Sequence, residues 1–298
     1  YDETSRFNKV AFPGKNTPIL KIVDFNRPMV AINQWEQAAD SMYTLCGKDR
    51  IHPSTDGHLV MAYLFLKAQG LAGKPVADIR IDGAGKKVTR SDNCRVSDLS
   101  ISSDNLTFTY EAKSLPYPID TSYYDNEKHT QADALSVIPF MDEMNYEGLS
   151  VSGLSDGYYG LTIGGEFIGR FTARELERGI NMALLQNTPQ YKQAMKIRQM
   201  NEERWLKERK MREFYWVEYN LMRKTGMLWA CDEAAVDTLR KYRPHDIFLQ
   251  WNGDLWLQYM HKGIREDCVN EQQDLVDRIY EQNKPIPLRI EIKKFTDL

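Results

Sequence analysis

Cysteine is scarce in this sequence: four residues in 298, Cys46, Cys94, Cys231 and Cys268. No two of them form C-x-x-C, which excludes a zinc knuckle and a disulfide-dense small scaffold. One bridge, Cys231 to Cys268, is compatible with the spacing, although free buried cysteine is common. A charge excess is missing as well. The 39 Lys and Arg against 42 Asp and Glu leave a formal net charge of −3, with a pI near 6.0, so neither nucleic acid nor an anionic membrane finds an electrostatic partner here. No apolar run approaches the ~20 residues that span a bilayer. The longest, LVMAYLFLKA, is the size of a core helix. There is no internal repeat and no low-complexity tract. The chain begins at YDETSRF with no Met and no signal peptide, which reads as a processed chain or a fragment. What is present is ordinary: 42% hydrophobic and 27% charged residues, a globular composition with room for about two domains.

Along the chain, ILKIVDF (19–25) is a short apolar run of the kind that suits a strand buried on both faces. A helix-forming stretch follows, MVAINQWEQAADSMYTL. Then comes KDRIHPSTDGHLVMAYLFLKAQG, where Ser54 or Thr55 can cap a helix whose Leu59, Ala62, Tyr63 and Leu66 fall at i, i+3, i+4, i+7. Gly70 stands where a left-handed C-terminal cap belongs. Residues 1–74 thus read as the C-terminal part of an α/β domain. A single such strand would leave its ladder unpaired, so the expectation is that further strands come from upstream. From 75 to 187 the signals are short strands and turns: DLSISSDNLTFTYEA as a strand pair, and LSVSGLSDGYYGLTIGGEFIGRF as three strands. Thr172 and Glu175 form a capping box before a short helix stopped by Gly179. Between the strand groups, YPIDTSYYDNEKHTQADA reads as a long polar loop. Residues 188–298 read as helical. Thr188 and Pro189 start a helix of about 35 residues, or two broken ones, before Gly226. PLRIEIKKF at the end alternates as a strand.

Asp49 and His52 are the candidates for chemistry, although Asp-x-x-His also arises by chance in a protein of this size. Two intervening residues on a loop let the carboxylate fold back onto imidazole Nδ1–H, which leaves Nε2 free as a base. DRIHPSTDGHLVMA, behind ILKIVDFNRPM, resembles the last conserved block of the SGNH/GDSL serine hydrolases, which are esterases and acylhydrolases. Asp49, His52, Pro53, Gly57 and His58 all match that block. The resemblance implies an α/β fold, the C-terminal part of a flavodoxin-like three-layer domain, followed here by a small β-rich domain and a helical tail. It implies His52 as general base and Asp49 as its orienting carboxylate, gives His58 no catalytic part, and calls for no metal or organic cofactor. Residues 148–185 look like the appendage of such proteins that act on carbohydrate esters in polysaccharide-degrading bacteria.

The departures shape the functional expectation. The sequence has no Gly-Asp-Ser block and no Gly-x-Asn-Asp, and WNGDLW (251–256) offers Asn252 and Asp254 in the wrong order and setting. The nucleophilic serine and the Gly and Asn of the oxyanion hole are therefore expected from a missing N-terminal half. The expected function is hydrolysis of a carboxylic ester, plausibly an O-acetyl group on a carbohydrate, by a periplasmic or secreted bacterial enzyme with no nucleic-acid partner and no membrane span. The rival expectations are a non-catalytic carbohydrate-binding or scaffold protein built on a degenerate esterase, and one piece of a nicked enzyme. The aromatics of REFYWVEY with Trp229, Trp251 and Trp256 suit either a core or a sugar platform. NEERWLKERKMRE reads as a solvated helix face. His129, His245 and His261 read as isolated, so no metal site is expected.

Overall fold

In the computed structural model, which describes residues 22–122 and 129–295, Ile22–Phe25 has no regular structure. Asp24 Oδ1 accepts the backbone N–H of Arg27 at 3.1 Å, and Pro28 fixes φ in the first turn. Helix α1 (Asn26–Glu36) therefore begins where the strand over 19–25 was expected to end. Residues 19–21 of that expected strand lie outside the described residues. The remainder is irregular, and among the described residues no strand pairs with its backbone groups. Among the described residues of 1–74 the only β pairing is an isolated bridge, Cys46 to Pro53, so the flavodoxin-like three-layer arrangement is not displayed by them.

Helix α2 (Thr55–Ala68) follows. It closes in a Schellman motif: Gly70, at φ 75°, donates to Lys67 O at 2.9 Å, and Leu71 N donates to Leu66 O at 3.2 Å. Its Leu59, Val60 and Tyr63 are buried with Leu45, Ile119, Ala134, Ile138, Phe140 and Met141 in a small core of their own. The Tyr63 hydroxyl donates to Glu143 Oε2 at 2.8 Å, and Lys67 Nζ lies 2.9 Å from the same oxygen. These contacts tie α2 to the short helix α3 (Phe140–Glu143).

The chain is mixed α/β, with two sheets and a helical C-terminal region. The first sheet has the order β2-β1-β5-β8, where β1 is Ala77–Asp82, β2 Lys87–Asp92, β5 Glu147–Ser152 and β8 Ile180–Asn181. Strands β1 and β5 run parallel, with Ala77 opposite Glu147. The second sheet is antiparallel, in the order β3-β4-β9-β6-β7, from β3 (Cys94–Ile101), β4 (Asn105–Ala112), β6 (Tyr158–Ile163), β7 (Glu166–Thr172) and β9 (Leu288–Lys294). The final strand thus lies at the centre of this sheet, where the alternation of PLRIEIKKF buries Leu288, Ile290 and Ile292. Ile79, Ile81, Leu149 and Val151 of one sheet share a core with Phe108, Tyr110, Leu161 and Ile290 of the other. Thr172 and Glu175 form the capping box of α4 (Ala173–Arg178), which stops at Gly179.

The fold divides into two compact units, one from the described residues of 1–112, 116–186 and 288–298, the other from 113–115 and 187–287. In the second, Thr188 caps α5 (Pro189–Val217) and Pro189 takes its first turn. The charged run reads as a solvated face, with Arg209 and Glu213 paired at 2.7 Å and Arg212 and Glu208 at 2.9 Å. A π-helical turn, Glu218–Met222, ends α5 before Gly226. Helices α6 (Glu233–Tyr242), α7 (Ile247–Tyr259) and α8 (Lys262–Gln282) complete the unit. All four cysteines are free, so the bridge from Cys231 to Cys268 is not formed.

Trp256 is fully buried, which removes it from any sugar platform. Its Nε1–H donates to Glu218 Oε1 at 2.8 Å, and the backbone N–H of Trp229 donates to Oε2 at 2.9 Å. Glu218→Ala deprives both donors of their acceptor at a cost of about 1–3 kcal/mol each. A melt followed by circular dichroism should therefore show a clear loss of stability for Glu218→Ala and a smaller one for Glu218→Gln. Equal melting of Glu218→Ala and the unaltered chain would contradict this role.

Candidate active site

The loop that carries Asp49 and His52 is closed by its own backbone. Leu45 O accepts Ser54 N at 3.0 Å and lies 3.1 Å from Ser54 Oγ. A Cβ on Gly57 would stand 2.0 Å from that same carbonyl oxygen, so only glycine lets the first turn of α2 come this close. Gly47 N donates to His52 O at 2.8 Å and Arg50 N to Gly47 O at 2.9 Å. Arg50 sits in the left-handed region at φ 56°. Ser54 occupies the N-cap position of α2, yet its hydroxyl makes no capping bond to the helix backbone; it faces Leu45 O and Asp56 instead.

Within this loop the structure brings Asp49 and His52 together. Asp49 Oδ1 accepts the backbone N–H of Ile51 at 2.9 Å and of His52 at 3.1 Å. Its Oδ2 lies 2.6 Å from His52 Nδ1. Three bonds converge on one carboxylate, and the His52 side chain, followed by the two backbone N–H groups, holds Asp49 at a pKa of about 2. An ionised Asp49 accepts only, so Nδ1 carries the hydrogen and Nε2 presents its lone pair. The His52 side chain is 83% exposed, and among the described residues no side chain other than Asp49 is hydrogen-bonded to it. The arrangement is an oriented base open to the outside of the fold.

The other candidates fall elsewhere. His58 lies exposed on α2, away from any bond to the pair. Asp254 belongs to a two-pronged ion pair with Arg243, at 2.6 and 2.7 Å. His129 is not isolated, as its place in the sequence had suggested: its Nδ1 lies 3.5 Å from Oδ2 of the buried Asp56. That second carboxylate–imidazole pair has no spacing signature, since its members come from α2 and from the irregular segment before the 3₁₀ turn Gln131–Ser136.

A family model described as the diltiazem deacetylase C-terminal helical domain matches residues 195–284. A solved structure described as a gut microbial diltiazem-metabolizing enzyme is similar at 42% identity with a TM-score of 0.85. The likeness covers 90% of this chain and 61% of that one, so the chain spans about three fifths of the length of the protein it matches. No curated protein matches the chain.

Asp49 is lowered from 3.8 to about 2, so its bond to His52 contributes fully above pH 3.8 and is lost as the pH falls through about 2. A carbon-13 titration of the Asp49 carboxyl should give a midpoint near 2, as above, and His52→Ala should raise it toward 3.8. A midpoint unchanged by His52→Ala would show that the imidazole does not hold the carboxylate.

Proposed function

We propose that this chain is the C-terminal part of a serine esterase of the SGNH/GDSL type. In this reading the nucleophilic serine and the Gly and Asn oxyanion donors come from a segment outside these 298 residues. The observation that carries the proposal is the 2.6 Å bond between Asp49 Oδ2 and His52 Nδ1, which leaves Nε2 unencumbered. The likeness to a family described as a deacetylase supports an acetyl ester as the bond cleaved.

The incoming serine attacks the ester carbonyl while His52 Nε2 takes its proton. The imidazolium so formed is stabilised by Asp49, which is ionised throughout the working range, and it returns the proton to the leaving alkoxide. Water then enters by the same route, activated by His52, and releases the acid. Such chemistry gains from exclusion of bulk water. Ile51, next to His52 in the loop, is 75% exposed. An apolar side chain left open beside a base is what a covering segment of polypeptide would bury.

The carbohydrate-linked form of the substrate, and with it a periplasmic or secreted location, is the finer part of the proposal. The carbohydrate part is supported by the exposed rings of Tyr215, Tyr219, Trp229 and Trp251, which offer stacking faces to sugars. A non-catalytic carbohydrate-binding protein would use the same rings without the dyad.

The test is hydrolysis of p-nitrophenyl acetate and of an acetylated polysaccharide by the full-length protein. His52→Ala should lower kcat by about 10³-fold or more, and Asp49→Asn by less. Full activity in His52→Ala would overturn the assignment. Polysaccharide binding with no hydrolysis would establish the non-catalytic reading.

A further inference from the structure

Asp56 is an ionisable residue almost wholly withdrawn from solvent, 1% exposed. Its Oδ1 accepts Gly57 N at 2.8 Å and meets the Ser54 hydroxyl. Its Oδ2 is buried with no hydrogen-bond partner, and His129 Nδ1 faces it at 3.5 Å. Buried carboxylates are paired or neutral, so the protons around Asp56 can be counted. Ser54 has one hydroxyl hydrogen and two oxygens within reach, Leu45 O and Asp56 Oδ1. Leu45 O already receives the Ser54 N–H. The hydroxyl hydrogen is therefore available to Asp56, and an N–H from His129 would complete the second oxygen.

His129 is well placed for this. It stands directly before a capping box in which Thr130 N donates to Asp133 Oδ2 at 2.6 Å. Its ring meets Tyr43 edge-on, with centroids 6.1 Å apart. Tyr43 brings no competing charge, because burial and then the Asp56 carboxylate push its phenol up to about 12. Glu36 of α1 and Asp133 act on Tyr43 in the same sense.

We propose that Asp56 and His129 are positioning residues for the Asp49–His52 loop. His129 donates Nδ1–H to Asp56 Oδ2. Asp56, so completed, fixes the Ser54 hydroxyl and Gly57 N–H, and these set the closure at Leu45 from which residues 46–53 extend. The residues from His129 into the 3₁₀ turn Gln131–Ser136 are thereby fastened to the loop bearing the base. The kinetic part of this inference rests on the esterase reading above; the structural part does not.

The experiment compares His129→Leu, His129→Asn and Asp56→Asn in the full-length protein. Two readouts are used, the imidazole nitrogen and proton NMR signals of His52 and the kinetics on p-nitrophenyl acetate. Circular dichroism verifies folding, and the partly exposed His129 makes its variants the safer pair. His129→Leu should shift the His52 signals and lower kcat about 10- to 100-fold with KM nearly unchanged, since small misplacements of a catalytic group cost this much. His129→Asn, whose carboxamide N–H reaches toward the same oxygen, should recover most of both. Unchanged His52 signals and kcat in His129→Leu would overturn the proposal. So would equal loss in His129→Leu and His129→Asn. If the unaltered protein hydrolyses no ester, the esterase reading has failed, and the response of the His52 signals alone decides the positioning role.

Discussion

The carbonyl oxygen of Leu45 is the point from which the candidate site is built. It receives the backbone N–H of Ser54, lies within reach of the Ser54 hydroxyl, and presses against the Cα of Gly57 so closely that no Cβ fits. With Leu45 wholly buried, that oxygen is fixed to the small core under α2, and the loop from Cys46 to Pro53 leaves and returns beside it. His52 itself has almost no packing. Its place follows from backbone closure at one end and from a single side-chain bond, to Asp49, at the other. Orientation of the imidazole thus depends on polar geometry rather than on burial, which is why one carboxylate with three donors matters more here than any apolar contact.

This division explains what could be read from the residues alone. Asp49 and His52 were legible because their partnership is local: two intervening residues fold the carboxylate back whatever the rest of the chain does. The capping box at Thr172, the start at Thr188 and Pro189, and the left-handed Gly70 were legible for the same reason. Long-range pairing was not. ILKIVDF has the composition of a strand, but strand formation needs a neighbour, and the described part of it feeds a helix instead. The alternation of PLRIEIKKF declared a strand, yet nothing in it said that the strand would enter between β4 and β6. Ser54 had the right residue type for a helix cap, and tertiary partners claimed its hydroxyl. Asp56 and His129 carry no motif, and only the fold sets them face to face.

The helical unit poses a separate physical problem. Its long helix is mostly charged along one face, buries Met211, Phe214 and Val217 in the core of the unit, and is followed by a buried carboxyl, Glu218, satisfied by an indole and a backbone N–H rather than by a cation. That bond coincides with a π-helical turn and with Trp229 held at φ 65°, a costly conformation for a bulky residue. These features fix the exposed rings of Trp229, Tyr215 and Tyr219 near one another, with centroids about 6 Å apart.

The central claim is that His52 serves a serine that these 298 residues do not themselves supply. A fluorophosphonate probe, which forms a covalent bond only with an activated serine, tests it directly in the full-length protein. Peptide mapping should place the adduct on a serine outside residues 1–298, with labelling largely lost in His52→Ala. An adduct on a serine within this chain, or labelling undiminished when His52 is removed, would contradict the account.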